Sequence, residues 1–259
     1  MRKYMTAICL LLMTTLWQTD IVEAHGWGYK KSTNNKAPAI GQYEEIINDY
    51  SVFYMDKNTE KDIYLTFDNG SEAGFTNDVL DVLREEKVPA TFFVTGHYVE
   101  EEPDIIKRMA AENHIIGNHS YHHPDFTTMT KKEMEKELQL VEEAVANITD
   151  QVEMKYVRPP RGTFNEQTLK WTEELGYVSM FWSLAFKDWE TNRQKGAQYA
   201  YDQIMEQIHP GAIILLHTVS EDNAKALKQV IQQLKKEGYS FKSLDDLLWK
   251  ELIYEDILF

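Results

Sequence analysis

Residues 63–70, which read IYLTFDNG, are the segment from which the architecture of this chain can be worked out. Ile63, Leu65 and Phe67 alternate with Tyr and Thr, and the segment ends in Asp-Asn-Gly. Alternation with a period of two predicts a buried strand, and the Asp-Asn-Gly tripeptide predicts the turn that stops it. Asp68 therefore lies at the C-terminal tip of a strand, the edge where reacting groups collect in parallel α/β folds. The alternative is that the tripeptide is only a turn.

Strand and helix patterns alternate along the rest of the chain. Short apolar runs predict further strands at residues 90–95, 114–117, 155–157, 177–182, 212–216 and 239–241. Apolar residues at three- and four-residue steps predict helices at residues 77–86, 103–112, 131–147, 165–175, 196–208 and 222–237, and from Leu244 onwards. About seven strand and helix pairs imply a parallel sheet, and the chain length favours a barrel over an open sheet. The predicted fold class is α/β, an irregular (β/α) barrel of parallel strands.

The composition excludes several classes of function. The chain has 259 residues, of which 43% are hydrophobic, so it can bury a full core. It has 27 basic and 42 acidic residues, a net charge of −15, and no lysine or arginine cluster. Nucleic acid and anionic membrane surfaces are therefore not expected as partners. The sequence has one cysteine, Cys9, so we expect neither a disulfide nor a cysteine-mediated partner in the mature chain.

The first 24 residues have the layout of a secretory signal peptide. Arg2 and Lys3 precede an apolar run at residues 7–12, and small residues near Ala24 offer a cleavage point. An uncleaved membrane anchor is the competing interpretation. Export of a chain without disulfides points to a bacterial cell envelope. The predicted divisions after the signal are an N-terminal arm (25–38) with a helix (40–50), together residues 25–60, a main domain (61–250) and a tail (251–259).

Four polar clusters follow predicted strands and so fall at one edge of the predicted sheet. They are Asp68-Asn69, the pair His119 and His123, Arg158-Pro159-Pro160-Arg161-Gly162, and His217. One helical turn between His119 and His123, halted by Pro124, would aim both imidazoles at one point, as metal ligands require. Each cluster alone has a structural alternative: an incidental histidine pair, a rigid Arg-Pro-Pro strand exit, or a satisfied core histidine. Their joint occurrence on one rim favours a catalytic site.

Five motifs, in order, resemble those of the polysaccharide deacetylases, the NodB-homology carbohydrate esterases. They are Thr66-Phe67-Asp68-Asn69-Gly70, His119-Ser120-Tyr121-His122-His123, Arg158-Pro159-Pro160-Arg161-Gly162, Asp188-Trp189 and Leu215-Leu216-His217, and the match runs from Lys61 to Leu248. Asn69, Arg161 and the N-terminal arm resemble the delta-lactam-biosynthetic branch, which acts on N-acetylmuramic acid in spore cortex peptidoglycan. The resemblance implies a NodB-type (β/α) barrel and an N-deacetylase.

The resemblance also implies a role for each matched residue. Asp68 would be the general base, kept ionised by a bidentate contact from Arg158. His217 would protonate the leaving amine, while Asp188 holds its ring and raises its pKa. The backbone N–H of Arg161 would stabilise the oxyanion.

A divalent metal is the implied cofactor, zinc by ligand type, with cobalt as an alternative. His119 and His123 would bind it, and Asn69 stands where most relatives have an aspartate as the third ligand. An amide brings no charge, so we expect weaker metal binding or a site that works without a metal. Trp189 and Trp182 would wall the sugar site, although core packing is an equal alternative for either.

Arg161 stands where relatives often carry tyrosine. We hypothesise that its guanidinium meets the lactyl carboxylate of muramic acid, a group that N-acetylglucosamine lacks. The expected partner is therefore a peptidoglycan glycan strand after peptide removal by an amidase, in the cell envelope or the intermembrane space of the spore. The alternatives are a chitin or N-acetylglucosamine deacetylase, a non-catalytic glycan-binding relative and, more distantly, an inverting glycosidase.

Overall fold

The computed structural model describes residues 23–57, 60–151 and 153–258. The strands in these ranges are β1 His25–Gly26, β2 Val52–Phe53, β3 Asp62–Asn69, β4 Thr91–Val94, β5 Ile115–Asn118, β6 Tyr156–Val157, β7 Thr163–Phe164, β8 Val178–Met180, β9 Ile213–His217 and β10 Ser240–Lys242. Eight of them form one parallel sheet in the order β10-β3-β4-β5-β6-β8-β2, with β9 beside β3. The other two, β1 and β7, pair antiparallel.

β3 is the central strand, and all of its residues are buried. Its C-terminal half pairs with β4 on one edge, while the opposite edge pairs first with β10 and then with β9. A parallel bridge between Leu184 and Ile214 connects the chain after β8 to β9, which curls the sheet into an irregular barrel. The predicted fold class is confirmed, and each strand predicted from the sequence is present.

Helices cover the outside of the sheet. Within the described ranges they are α1 Tyr43–Ile47, α2 Thr76–Glu86, α3 Gly96–Glu101, α4 Pro103–Ala111, α5 Lys131–Ala146, α6 Glu166–Glu174, α7 Ala197–Gln207, α8 Glu221–Lys236 and α9 Leu244–Leu258. α5 shows why they form: Thr130 and Glu133 make a capping box at its start. Its buried face has helical spacing, and burying each such side chain contributes about 1.5–3 kcal/mol; the face consists of Met134, Leu138, Val141 and Val145.

The N-terminal arm packs against the loop that carries Arg161. β1 pairs with β7, and the Trp27 backbone N–H donates to the Gly162 carbonyl at 2.8 Å. The Trp27 ring stacks on Phe181 with centroids 4.5 Å apart. The helix predicted at residues 40–50 is confined to α1, and β2, which the sequence analysis does not predict, adds the eighth strand beside β8. The arm is therefore part of the folded domain and borders the functional edge of the sheet.

The two ends of the chain extend beyond the described residues. The predicted signal peptide lies almost wholly outside them, because they begin at residue 23. Among the helices that the structure describes, none has the length and apolar character that crossing a bilayer requires. The predicted tail belongs to α9 up to Leu258.

Candidate active site

β3 and β9 end side by side at the C-terminal edge of the barrel. Asp68 and His217 are register partners on these neighbouring strands, and adjacent strands lie about 4.8 Å apart. Both side chains line a cleft of about 670 Å³. A carboxylate and an imidazole are therefore close enough to flank a single reacting carbonyl.

Arg158 anchors Asp68 from inside the barrel. Its side chain is completely buried, and its Nη1–H donates to Asp68 Oδ1 at 2.7 Å. Its Nη2–H donates to Thr66 Oγ1 at 2.9 Å, and its Nε–H donates to the Met180 carbonyl at 3.1 Å. The guanidinium lies 4.2 Å from the centroid of the Phe93 ring. The predicted bidentate contact to Asp68 is wrong: it is a single hydrogen bond, because Thr66 takes the second nitrogen.

The surroundings of Asp68 favour its charged form. Burial raises the pKa of this carboxyl, but the charge of Arg158, aided by His119 and His217, outweighs burial and holds the pKa below its usual range. Asp68 is therefore ionised at neutral pH and can accept a proton. The sequence analysis misses Thr66, which lies two residues earlier on the same strand face; that spacing is the signal that could have found it.

Asp188 and Asn223 hold His217. The Nδ1–H and the backbone N–H of His217 both donate to the Asp188 carboxylate, each at 2.8 Å. Asn223, in the first turn of α8, donates from Nδ2 to Asp188 Oδ2 at 2.5 Å. Burial lowers the pKa of His217, but Asp188 outweighs burial and the net pKa is raised. Because Nδ1 is bound, Nε2 is the nitrogen available for proton transfer. The sequence gives no signal for Asn223.

His119 and His123 lie in a loop, so the predicted helical turn between them is wrong. Ser120 and His123 have left-handed backbone angles, with φ of 63° and 58°, and the His123 N–H donates to Ser120 Oγ at 3.0 Å. The two imidazoles still meet, with ring centroids 4.8 Å apart. His119 Nδ1–H donates to the Arg158 carbonyl at 2.8 Å, which leaves a lone pair on Nε2. Burial lowers the pKa of both rings, that of His123 to about 4, so both are neutral at physiological pH.

Asn69, the predicted third metal ligand, is completely buried. Its Nδ2–H donates to Thr218 Oγ1 at 2.7 Å, and its Oδ1 has no hydrogen-bond partner within residues 23–57, 60–151 and 153–258. Two neutral imidazoles and one free amide oxygen fit a divalent cation by donor type, but they bring no charge to it. Among the residues that the structure describes, no three His, Cys, Asp or Glu side chains form a metal-binding group. The charged group beside the imidazole pair is Asp68, whose Oδ2 lies 3.6 Å from His119 Nε2.

Arg161 and the two tryptophans shape the cleft. Arg161 is exposed and has a left-handed φ of 60°, which costs a non-glycine residue about 1–3 kcal/mol. A Cβ on Gly162 would come within 2.8 Å of the Trp182 ring, so that ring packs tightly against the loop. Trp189 is 51% exposed, and its ring centroid lies 5.6 Å from that of His217. Both tryptophans line the cleft. Trp189 is largely exposed there, whereas Trp182 also packs against the loop that carries Arg161.

All of the predicted site residues come together at this edge of the sheet. Those that line the cleft are Asp68, His119, His123, Arg161, Trp182, Trp189 and His217. Arg158, Asp188 and Asn69 lie behind the lining. The sequence analysis does not select His97, Tyr121 and His122 for the site, but they also line the cleft and form one ring cluster, with centroids 4.6–5.2 Å apart.

Comparison with known proteins finds relatives that span nearly the whole chain. Residues 55–180 match the family model described as polysaccharide deacetylase. The peptidoglycan-N-acetylmuramic acid deacetylase PdaA of Bacillus subtilis is 52% identical over 255 residues, 96% of this chain and 97% of that protein. A solved structure of Bacillus subtilis PdaA, a family 4 carbohydrate esterase, is 54% identical with a TM-score of 0.87, and the match covers 88% of this chain and 98% of that one. A chitooligosaccharide deacetylase of Rhizobium leguminosarum is 34% identical, covering 71% of this chain and 91% of that protein.

Proposed function

The chain belongs to the polysaccharide deacetylase family, the family 4 carbohydrate esterases, and from that membership we propose that it hydrolyses the acetamide of N-acetylmuramic acid in peptidoglycan. The observation that carries the proposal is the adjacency of Asp68 and His217 in one cleft, each with its own charged partner. The identity of 52% to a muramic acid deacetylase, against 34% to a chitooligosaccharide deacetylase, favours muramic acid over chitin as the substrate.

Asp68 acts as the general base. It takes a proton from the water that attacks the acetamide carbonyl, and Arg158 keeps the carboxylate ionised and aimed by its hydrogen bond to Oδ1. The backbone N–H of Arg161 stabilises the oxyanion of the tetrahedral intermediate. The rigid Arg158 side chain thus fixes the base before the substrate arrives, so no reorganisation is needed during the reaction.

His217 acts as the general acid. Asp188 raises its pKa, so the imidazole carries a proton that it can give to the leaving nitrogen as the C–N bond breaks. The products are acetate and a free amino sugar. In a muramic acid that has lost its peptide, this amine can form an amide with the lactyl carboxyl group, with loss of one water as the carboxyl C–O bond breaks, to give the delta-lactam of spore cortex.

Deacetylases of this family are in general metal-dependent. His119, His123 and Asn69 are the residues that would hold a divalent ion, zinc or cobalt by ligand type. When bound, the ion polarises the carbonyl and lowers the pKa of a water. We propose that binding is weak because the ligand set is uncharged; titration calorimetry of the EDTA-stripped protein with zinc or cobalt measures it directly.

Arg161 selects muramic acid through the lactyl carboxylate. Its guanidinium is exposed at the cleft, and the strained backbone of Arg161 is held by the Trp27 hydrogen bond to Gly162 and by the Gly162 N–H to the Pro159 carbonyl at 3.0 Å. Strain of this kind persists where the surrounding structure enforces it, commonly at functional sites. The substrate is then a glycan strand whose peptides an amidase has removed, because an amide-linked peptide would consume the carboxylate.

Because the proposed substrate is peptidoglycan, we expect the protein to act outside the cytoplasmic membrane or in the cell wall. The signal peptide at residues 1–24 would supply export, and the arm at residues 25–60 would then begin the mature protein. For a sporulating bacterium the compartment is the intermembrane space of the spore. Detection of a mature chain starting near His25 in the envelope fraction tests this location.

Acetate release tests the proposed function. The substrates are peptide-free peptidoglycan glycan and chitooligosaccharide, and the proteins are wild type, Arg161→Tyr and, as a control, Arg84→Tyr at a surface position 59% exposed. We expect wild type and the control to prefer muramic glycan, and Arg161→Tyr to lose about 10- to 100-fold of that preference. Unchanged preference in Arg161→Tyr would refute the lactyl contact, and no acetate from either glycan would refute the deacetylase.

A further inference from the structure

A row of hydrogen bonds runs behind the tips of β3 and β9. Asn69 Nδ2 contacts Thr218 Oγ1 at 2.7 Å, and Thr218 Oγ1 lies 2.8 Å from Thr76 Oγ1. Thr76 Oγ1 contacts Glu72 Oε2 at 2.5 Å, and the Tyr98 hydroxyl contacts the same oxygen at 2.8 Å. Asn69, Thr76, Tyr98 and Thr218 are each 0% exposed, so the contacts must be satisfied by the protein itself. We refer to these five residues, Asn69, Thr218, Thr76, Tyr98 and Glu72, as the hydrogen-bond row.

Counting protons fixes the direction of the row. Burial raises the pKa of Glu72, but hydrogen bonds from Thr76, Tyr98 and backbone N–H groups outweigh burial and lower it, so this carboxylate only accepts. Its two contacts therefore use the protons of the Thr76 and Tyr98 hydroxyls, and the longer contact between the Tyr98 hydroxyl and Thr76 Oγ1, at 3.1 Å, shares the Tyr98 proton. The contact between Thr76 and Thr218 must then use the Thr218 proton. The remaining contact, between Asn69 and Thr218, has no hydroxyl proton left, so Asn69 must donate it.

We propose that Asn69 is a positioning residue, the obligatory donor at the head of a one-way hydrogen-bond row that ends at Glu72. The row ties the tip of β3 to β9 and to the start of α2, and so keeps Asp68 and His217 in register. An ionised aspartate at position 69 brings no proton, so one contact in the buried row would face two acceptors unless the carboxyl took up a proton, which itself costs free energy at neutral pH. Asn69 therefore has a structural reason to be an amide, whatever its Oδ1 binds.

The most direct test exchanges the donor and acceptor ends of the row, so that every hydrogen bond in it runs in the opposite direction. In the double variant Asn69→Asp/Glu72→Gln the amide at position 72 donates to Thr76, Thr76 donates to Thr218, and Thr218 donates to the carboxylate at position 69. The glutamine oxygen still accepts the Gly74 N–H that Glu72 Oε1 accepts in the wild type. Asn69→Asp alone breaks the row, whereas the double exchange restores its contacts with opposite direction. Glu72→Gln alone is milder, because the Asn69 amide can turn its Oδ1, which has no partner among the described residues, towards Thr218.

Thermal melting in EDTA gives a readout that requires neither a metal nor the proposed function. We expect Asn69→Asp to lower Tm by about 3–8 °C and Glu72→Gln to lower it less, and the double variant to regain most of the Asn69→Asp loss. If Asn69→Asp alone does not fold, the proposal predicts that the double variant does fold. Additive losses in the double variant, or a wild-type Tm in Asn69→Asp, would overturn the proposal.

Kinetics separate positioning from general stability, and this second readout rests on the proposed function. At a temperature where all variants are folded, we expect kcat for acetate release to fall about tenfold in Asn69→Asp, with KM little changed, and to recover in the double variant. A rescued Tm without rescued kcat would overturn the claim that the row positions Asp68 and His217.

Discussion

Replacing Arg158 by methionine tests the electrostatic arrangement beneath the site. Methionine fills much of the same space but removes the positive charge and the hydrogen bonds to Asp68, Thr66 and the Met180 carbonyl. Asp68, only 8% exposed, would become a buried carboxylate without its cation. Removing one partner of a buried ion pair costs about 3–5 kcal/mol, and we expect the free energy of unfolding at pH 7 to fall by that amount.

The pH dependence of this loss has a definite sign. In the wild type the pKa of Asp68 lies below its usual value of 3.8, so its stabilisation is present above that pH and is lost as the pH falls through the folded-state pKa. In Arg158→Met burial dominates and raises the pKa, so the variant gains stability relative to wild type as its Asp68 takes up a proton. The difference between the two proteins is therefore largest at pH 7 and narrows towards pH 4.

Urea unfolding followed by circular dichroism at pH 7 and pH 4 measures this difference. The matched control is the double variant Arg158→Met/Asp68→Asn, which removes both charges and should cost less than Arg158→Met alone, because no unpaired charge stays buried. A loss below about 1 kcal/mol at pH 7, or one that is the same at both pH values, would refute the reasoning.

Asp188→Asn should lower kcat for acetate release about 100-fold and move the alkaline limb of its pH profile to lower pH, because Asp188 is what raises the pKa of His217. The folding contribution of that pair, measured by urea unfolding, should be complete below pH 6.5 and decline as the pH rises through the raised folded-state pKa. Asn223→Ala, which removes one donor to Asp188, should lower kcat with little change in KM; an unchanged kcat would deny Asn223 a positioning role. Trp27→Ala should lower the free energy of unfolding by about 3–5 kcal/mol and raise KM for muramic glycan, since Trp27 packs against the loop of Arg161; a normal KM would separate the arm from substrate binding.

The strands could be predicted from the sequence because each one is a short buried apolar run, and the polar residues that follow them mark the functional edge. Period-two and helical spacing located β3 to β6 and β8 to β10 and most of the helices. The strands β1, β2 and β7 were not predicted, because β1 and β2 precede the main domain and β7 follows β6 with no α-helix between them. They therefore lie outside the strand–helix alternation that revealed the equally short β6. Their pairing is set by the packing of the arm around Trp27 and Phe181.

Some residues of the site could be predicted from the sequence, and others could be found only in the structure. Asp68, Arg158 and His217 stand out in the sequence because each follows a predicted strand and lies in a motif that resembles those of the polysaccharide deacetylases. Thr66 and Asn223 do not, since they are ordinary polar residues whose roles arise only when the fold brings them to Arg158 and Asp188. The conformation between His119 and His123 was mispredicted because hydrogen bonds to Asn118 and Ser120 side chains stabilise left-handed residues there.

The central claim is that Asp68 and His217 act as base and acid on one sugar acetamide. The most direct test is acetate release from peptide-free muramic glycan by wild type, Asp68→Asn and His217→Ala, each first shown to be folded by circular dichroism. We predict release by the wild type and a loss of about 10²- to 10⁴-fold in each variant. Release at the wild-type rate by either folded variant would contradict the account.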